Sequence, residues 1–204
     1  MKRTANSFRV LVFLNILPGS RPKAILGLRP KVIGMKNITL SGGFSFGDYL
    51  WLETISEYHG TLYSPKMVIG ENFSASDFVH IACTNSLSIG KNVLIGSKVH
   101  ITDHSHGIYS GDVQSSPFTP PITRALPGNG FITIGDNVWI GDNVVILPNT
   151  HIGSGSIIGA NSIVSKDIPN NSIAVGAPAR VIKQWDDIQQ KWIASYKPSQ
   201  KDNI

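Results

Sequence analysis

The chain has 204 residues, enough for one domain with a substantial core; 41% are hydrophobic, only 15% are charged and 20 are glycine, which excludes a disordered or coiled-coil protein and leans toward a turn-rich β fold. A net charge of +5 admits an anionic partner without choosing among phosphate, nucleotide, nucleic acid and acidic membrane surface. The single cysteine, Cys83, excludes an intrachain disulfide and a four-cysteine metal site, and it fits a reducing cytoplasm.

Residues 1–39 read as an N-terminal cap. They open on basic residues and carry an apolar run from Val10 to Leu17, interrupted by Asn15, with no small-residue cleavage site after it. The run is far shorter than the ~20 apolar residues that cross a bilayer. It suits an amphipathic cap and leaves open a weak contact with the inner membrane surface through its basic flank.

From residue 40 to 176 a period of six dominates. Ile134, Ile140, Ile146, Ile152, Ile158 and Val164 follow one another at six-residue spacing, with Gly135, Gly141, Gly153 and Gly159 directly after four of them. Four residues beyond each anchor stand Val138, Val144, Thr150, Ser156 and Ser162, a second inward position for small or β-branched side chains. Upstream, the same register picks out Leu40, Phe46 and Leu52, then Ile69, Ala75 and Ile81, then Ile89, Ile95 and Ile101. A helix would repeat at 3.6 and a half-buried strand at 2, so the pattern calls for short strands joined by tight turns. Glycine and asparagine are expected to make those turns through positive φ.

The register breaks at SEYHGTLYSPK, is two residues too long between Ile81 and Ile89, and is lost over loop 107–131, which is rich in proline and small polar residues. Loops of that length in compact repeats commonly serve as lids or substrate walls. In residues 177–204, Trp185, Ile188, Trp192 and Tyr196 share one helical face, and a C-terminal α-helix capping the open end is expected.

This hexad pattern resembles the hexapeptide-repeat acyltransferase family. The resemblance implies an all-β fold, a left-handed parallel β-helix of about five coils. It also implies acetyl-CoA as cosubstrate and a homotrimer with active sites between subunits. The DHxHG form of the histidine motif and the VGAPARVIK ending recur in O-acetyltransferases of bacterial O-antigen and capsule assembly. The acceptor implied is therefore a sugar or polysaccharide hydroxyl.

Hexad counting puts His80, His100, His106 and His151 at outward sixth positions, with His80 beside His100 and His106 beside His151 if the loop returns in order. Acyl transfer to a hydroxyl needs a base suited to neutral pH, and imidazole fits. An ungapped match to galactoside and maltose acetyltransferases implies His106 as that base, with His104 the runner-up; Asp103 or a backbone carbonyl would fix the tautomer. The resemblance further implies coenzyme A contacts at Trp139, Ala160, Ser165, Lys166, Arg180 and Lys183, with Asp142 departing from the serine of the galactoside enzymes. Ser76, Asp77 and Asn85 are candidates for the acceptor. Neither a serine nucleophile motif nor an activated cysteine is apparent, which favours direct attack. No metal site and no nucleic-acid motif is expected. Two alternatives stay open: N-acetylation of an amino sugar nucleotide, and a zinc lyase of the carbonic anhydrase type, which would need three converging histidines.

Overall fold

The computed structural model describes residues 24–195, so the Val10–Leu17 run and Tyr196 lie outside the described residues. Three parallel sheets form the faces of a prism, each strand pairing with its counterpart one coil on. One face carries Ala24–Leu26, Phe44–Phe46, Phe73–Ala75, Leu94–Ile95, Trp139–Ile140, Ile157–Ile158 and Ser172–Val175. The second carries Lys31–Ile33, Trp51–Thr54, His80–Cys83, His100–Thr102, Val145–Ile146 and Ile163–Val164. The third carries Ile38–Leu40, Lys66–Ile69, Ser86–Ile89, Phe131–Ile134 and Thr150–Ile152, and a bridge between Ile152 and Ile168 closes the last coil.

The anchors form one continuous core: Ile69, Ile81, Ile95, Ile101, Ile140, Ile146, Ile152, Ile158 and Val164 are all fully buried. Thr150, Ser156 and Ser162 at the second inward position are equally buried, and their hydroxyls donate to the carbonyls of Leu147, Pro169 and Gly159, so none of these three hydroxyls is stranded.

Asparagine and glycine divide the turn chemistry that the sequence assigned to both. Asn137, Asn143 and Asn161 take positive φ at the corners, whereas Gly135, Gly141, Gly153 and Gly159 do not. Those glycines answer a packing demand: a Cβ on Gly141 would lie 2.6 Å from the backbone nitrogen of Ala160 in the next coil.

Two expectations are corrected. The solenoid starts before residue 40, because Ala24–Leu26 and Lys31–Ile33 pair in parallel with Phe44–Phe46 and Trp51–Thr54; this makes six coils rather than about five. The first coil escaped the hexad count because Val32 and Leu40 are eight residues apart.

Among the described residues the expected C-terminal α-helix is also absent. Arg180–Asp186 and Lys191–Ala194 form an antiparallel hairpin on the edge of the first face, with Trp185 directly opposite Trp192. Seven-residue spacing satisfies a hairpin as well as a helix here, since Asp186 accepts the amide hydrogens of Ile188 and Gln189 to close the turn. The tryptophan rings meet edge to face at 5.5 Å, and Ile188, which a helix would have buried, is 94% exposed.

All three register breaks fall on one corner, between the second and third faces. The first holds the small hairpin Glu57–Tyr58 with Thr61–Leu62, the second the turn after Cys83, and the third the long loop after Thr102. Stacking the interruptions there puts the small hairpin, the turn after Cys83 and the long loop on the corner that carries the TDHSH motif.

Candidate active site

Asp103 is the pivot of that corner. The chain leaves the coil at Asp103, whose carboxylate turns inward and is fully buried. It accepts the amide hydrogens of Thr84, Asn85 and Ser86 and the Thr84 hydroxyl, at 2.8 to 3.1 Å. The two surplus residues between Ile81 and Ile89 supply this cradle. Burial by itself would raise the Asp103 carboxyl, but the bonds from His104 and from the Thr84 and Asn85 amides outweigh it and hold the group below its ordinary value.

His104 sits on this anion. Its Nδ1 lies 2.9 Å from Asp103 Oδ1 and 3.2 Å from Thr102 Oγ1, and its side chain is 10% exposed. A carboxylate accepts only, so Nδ1 carries a hydrogen, and in the neutral ring the lone pair is on Nε2.

His106 has different company. It lies on the exposed loop with Nδ1 3.3 Å from the Tyr58 hydroxyl, its carbonyl accepts from the Tyr109 hydroxyl, and no carboxylate touches it. The expected neighbourship of His106 and His151 does not occur. Thr133 takes the place beside His151, because the chain abandons the hexad register at Asp103, three residues before His106. His80 and His100 do stand in register, their rings 4.8 Å apart.

The His80 ring is also stacked on Trp51 at 4.0 Å. Burial first, then the neighbouring His100, Lys31 and His104, lower its pKa to about 4. The unfolded chain therefore binds a proton more readily than the folded one between roughly pH 6.5 and 4, so this group's contribution to stability is full above that window and is lost as the pH falls through it. We expect urea unfolding free energy to fall more between pH 7 and pH 5 in the wild type than in His80→Phe; equal losses would mean that the ring is not held neutral.

Cys83 is fully buried, and burial followed by the adjacent Asp103 pushes its thiol up to about 12, which suits packing and not nucleophilic attack.

Trp139 and Ala160 come together in a groove of about 220 Å³ along the corner between the first and second faces, with Trp139 52% exposed. Asp142, also in this groove, accepts the Ser97 amide hydrogen at 2.6 Å, so it caps the coil below. Ser165 and Lys166 are exposed on the opposite edge of the second face, following Ile163–Val164. Arg180 and Lys183 are exposed on the terminal hairpin. One chain thus does not gather all six expected coenzyme A contacts.

Of the acceptor candidates, Asp77 accepts the Asp48 amide hydrogen at 2.8 Å and Asn85 donates to the Gly130 carbonyl at 2.8 Å; both have structural duties, and Ser76 stands on the corner beside Asp77. Sequence reasoning named Asp103 as one of two possible partners of a histidine ring but passed over its cradle of Thr84–Ser86 amides and the contact of Tyr58 with His106, which join residues far apart in the chain. Among the described residues no three histidine, cysteine or acidic side chains converge on a metal site, so the arrangement a zinc lyase requires is not formed within one chain. Nor is any described helix long and apolar enough to cross a membrane.

A stack of hexad coils interrupted at one corner defines the hexapeptide-repeat β-helix class, and the bacterial transferase hexapeptide (six repeats) family model matches residues 131–166. The chain belongs to the hexapeptide-repeat acetyltransferase family. It is 32% identical to a solved galactoside acetyltransferase in complex with coenzyme A, over 76% of this chain and 73% of that one, with a TM-score of 0.52. It is 25% identical to the acetyltransferase VCA0836 of Vibrio cholerae O1 biovar eltor, solved with acetyl coenzyme A, over 79% of this chain and 71% of that one, with a TM-score of 0.51. In Escherichia coli K12 it is 45% identical, over 60% of its length, to WbbJ, a candidate lipopolysaccharide biosynthesis O-acetyl transferase, and 38% identical, over 69%, to galactoside O-acetyltransferase. The aligned segments span 62% and 64% of those two relatives.

Proposed function

We propose that this chain transfers an acetyl group from acetyl-CoA to a hydroxyl of a sugar or polysaccharide, with His104 as general base and Asp103 as its orienting partner. The observation that carries the assignment is the 2.9 Å contact between His104 Nδ1 and a wholly buried, amide-cradled carboxylate. It moves the base from His106, the first choice of the ungapped alignment, to His104. Nε2 of His104 takes the acceptor hydroxyl's proton as that oxygen attacks the thioester carbonyl, and the C–S bond breaks as the tetrahedral intermediate collapses. The imidazolium then returns the proton to the departing thiolate. Asp103 stabilises the imidazolium while remaining ionised.

The Trp139–Ala160 groove receives the pantetheine arm in this reading, and Ser165, Lys166, Arg180 and Lys183 the remainder of coenzyme A. Because Trp139 stands on the first face and Lys166 beyond the far edge of the second, a single coenzyme A meets both sets when they come from neighbouring chains, which supports a homotrimer with intersubunit sites. The left-handed winding that the family resemblance implies belongs to the same reading. So does a role in lipopolysaccharide modification, for which the likeness to WbbJ is the support. The test is thiol release from acetyl-CoA across a panel of glycans: release that requires a hydroxyl acceptor is expected, and release only with amine acceptors, or with none, would overturn the reading.

A further inference from the structure

Between the long loop and the fifth coil lies a cavity of about 550 Å³, within the ~300–1,000 Å³ range of small-molecule sites. It is built in advance of any ligand. Asn85 donates to the Gly130 carbonyl and Tyr63 to that of Leu126, so two side chains pin the returning arm of the loop. A Cβ on Gly130 would stand 1.7 Å from the Asp103 carbonyl oxygen, which shows how closely that arm is drawn against the corner.

The lining is hydroxyl and amide over an apolar floor. Ser105, Ser110, Asn129 and Asn149 face it, together with Leu126 and Pro148. Among the described residues the Ser110 hydroxyl and the Asn129 amide make no hydrogen bond, and Asn149 uses only its oxygen, on the Phe131 amide. No lysine or arginine lines the cavity, and its one charged group, Asp103, is already saturated by donors. The nearby Arg124 is spent on the carbonyls of Thr119 and Pro117 and the hydroxyl of Tyr109. A phosphate or carboxylate would find no cation here, whereas a pyranose offers the hydroxyls and the C–H face that these walls accept.

Asp103, Ser105 and Gly107 line the cavity, yet neither His104 nor His106 does. A sugar held there is therefore beside the base and not on it. We infer that this cavity binds an uncharged sugar unit adjacent to the one being acetylated, so that the acceptor is a neutral glycan of at least two units and not a nucleotide-linked monosaccharide. This rests on the acetyl-transfer reading.

The test uses the full chain as wild type, Asn129→Trp, which fills the cavity, and His104→Ala. Binding is measured by calorimetry and by a glycan array holding neutral oligosaccharides of one to four units, acidic glycans and nucleotide sugars. Acceptor kcat/KM is measured on the binders. Neutral oligosaccharides are expected to bind, to be preferred over their monosaccharides by tenfold or more in kcat/KM, and to lose that preference in Asn129→Trp while coenzyme A binding persists. Binding confined to acidic or nucleotide-linked sugars, absence of any neutral binder, or an equal effect of Asn129→Trp on mono- and oligosaccharides would overturn it. His104→Ala separates the two claims. It should bind the oligosaccharide as the wild type does and fail only in transfer, while wild-type binding without any transfer would defeat the transferase reading alone.

Discussion

His104→Ala is expected to lower kcat for acetyl transfer by about 10²–10⁴-fold, the usual contribution of a positioned general base, while leaving coenzyme A affinity within about twofold. The base acts only in the transition state, so kcat and kcat/KM should fall together. His106→Ala removes a ring that touches Tyr58 and no carboxylate. Its effect passes through loop position, and a loss of less than about tenfold, expressed mainly in KM, is expected. Steady-state kinetics of both variants across pH 5 to 9 decide the matter. A large loss in His106→Ala with little in His104→Ala would return the base to the junction of the loop.

The different surroundings of these two histidines show what the hexad pattern can and cannot carry. Period six repeated through the core because every coil must bury the same inward positions, so Ile134 through Val164 were readable without any structure. The irregular corner obeys no such repetition. Hexad counting carries the register through to residue 106, but the chain has already turned out at Asp103 to seat a carboxylate, and a two-residue displacement exchanges one histidine for the other. The surplus residues at Thr84–Ser86 and the aspartate in TDHSH are each visible in the sequence. What joins them is a contact across a coil, between positions 17 to 19 residues apart, and a repeat pattern does not encode that. The C-terminal segment failed for a different reason. Trp185 and Trp192 fit a helical face or a pair of facing strands equally well, and the edge of the first face, open beyond Ser172–Val175, settled it for strands.

Asp103→Ala should be the most destabilising single change at this corner. The carboxylate is fully buried and is the shared acceptor for three amides, one hydroxyl and one imidazole. Removing it leaves those donors facing a small cavity with no replacement acceptor, for which a loss of about 3–5 kcal/mol is the expected scale. Asp103→Asn keeps the shape and one accepting oxygen but turns an NH₂ toward donors, so a smaller loss, about 1–3 kcal/mol, is expected. The asparagine variant also separates stability from chemistry. With its carbonyl oxygen held by the amides, its NH₂ can meet His104 only as a donor, which moves the ring hydrogen to Nε2 and removes the lone pair that takes the proton; kcat should drop on the order of 10²–10⁴-fold in protein that is still folded. The pH dependence has a definite sign. Because the folded state holds this carboxyl below its ordinary value, its stabilisation is complete above about pH 4 and is lost as the pH falls through the folded-state pKa. Urea unfolding of wild type and Asp103→Asn should therefore differ by a constant amount at neutral pH and converge in acid. A gap that persisted undiminished into strong acid would mean that the charge of Asp103 contributes nothing, and with it would go the argument that Asp103 holds His104 as an ionised partner.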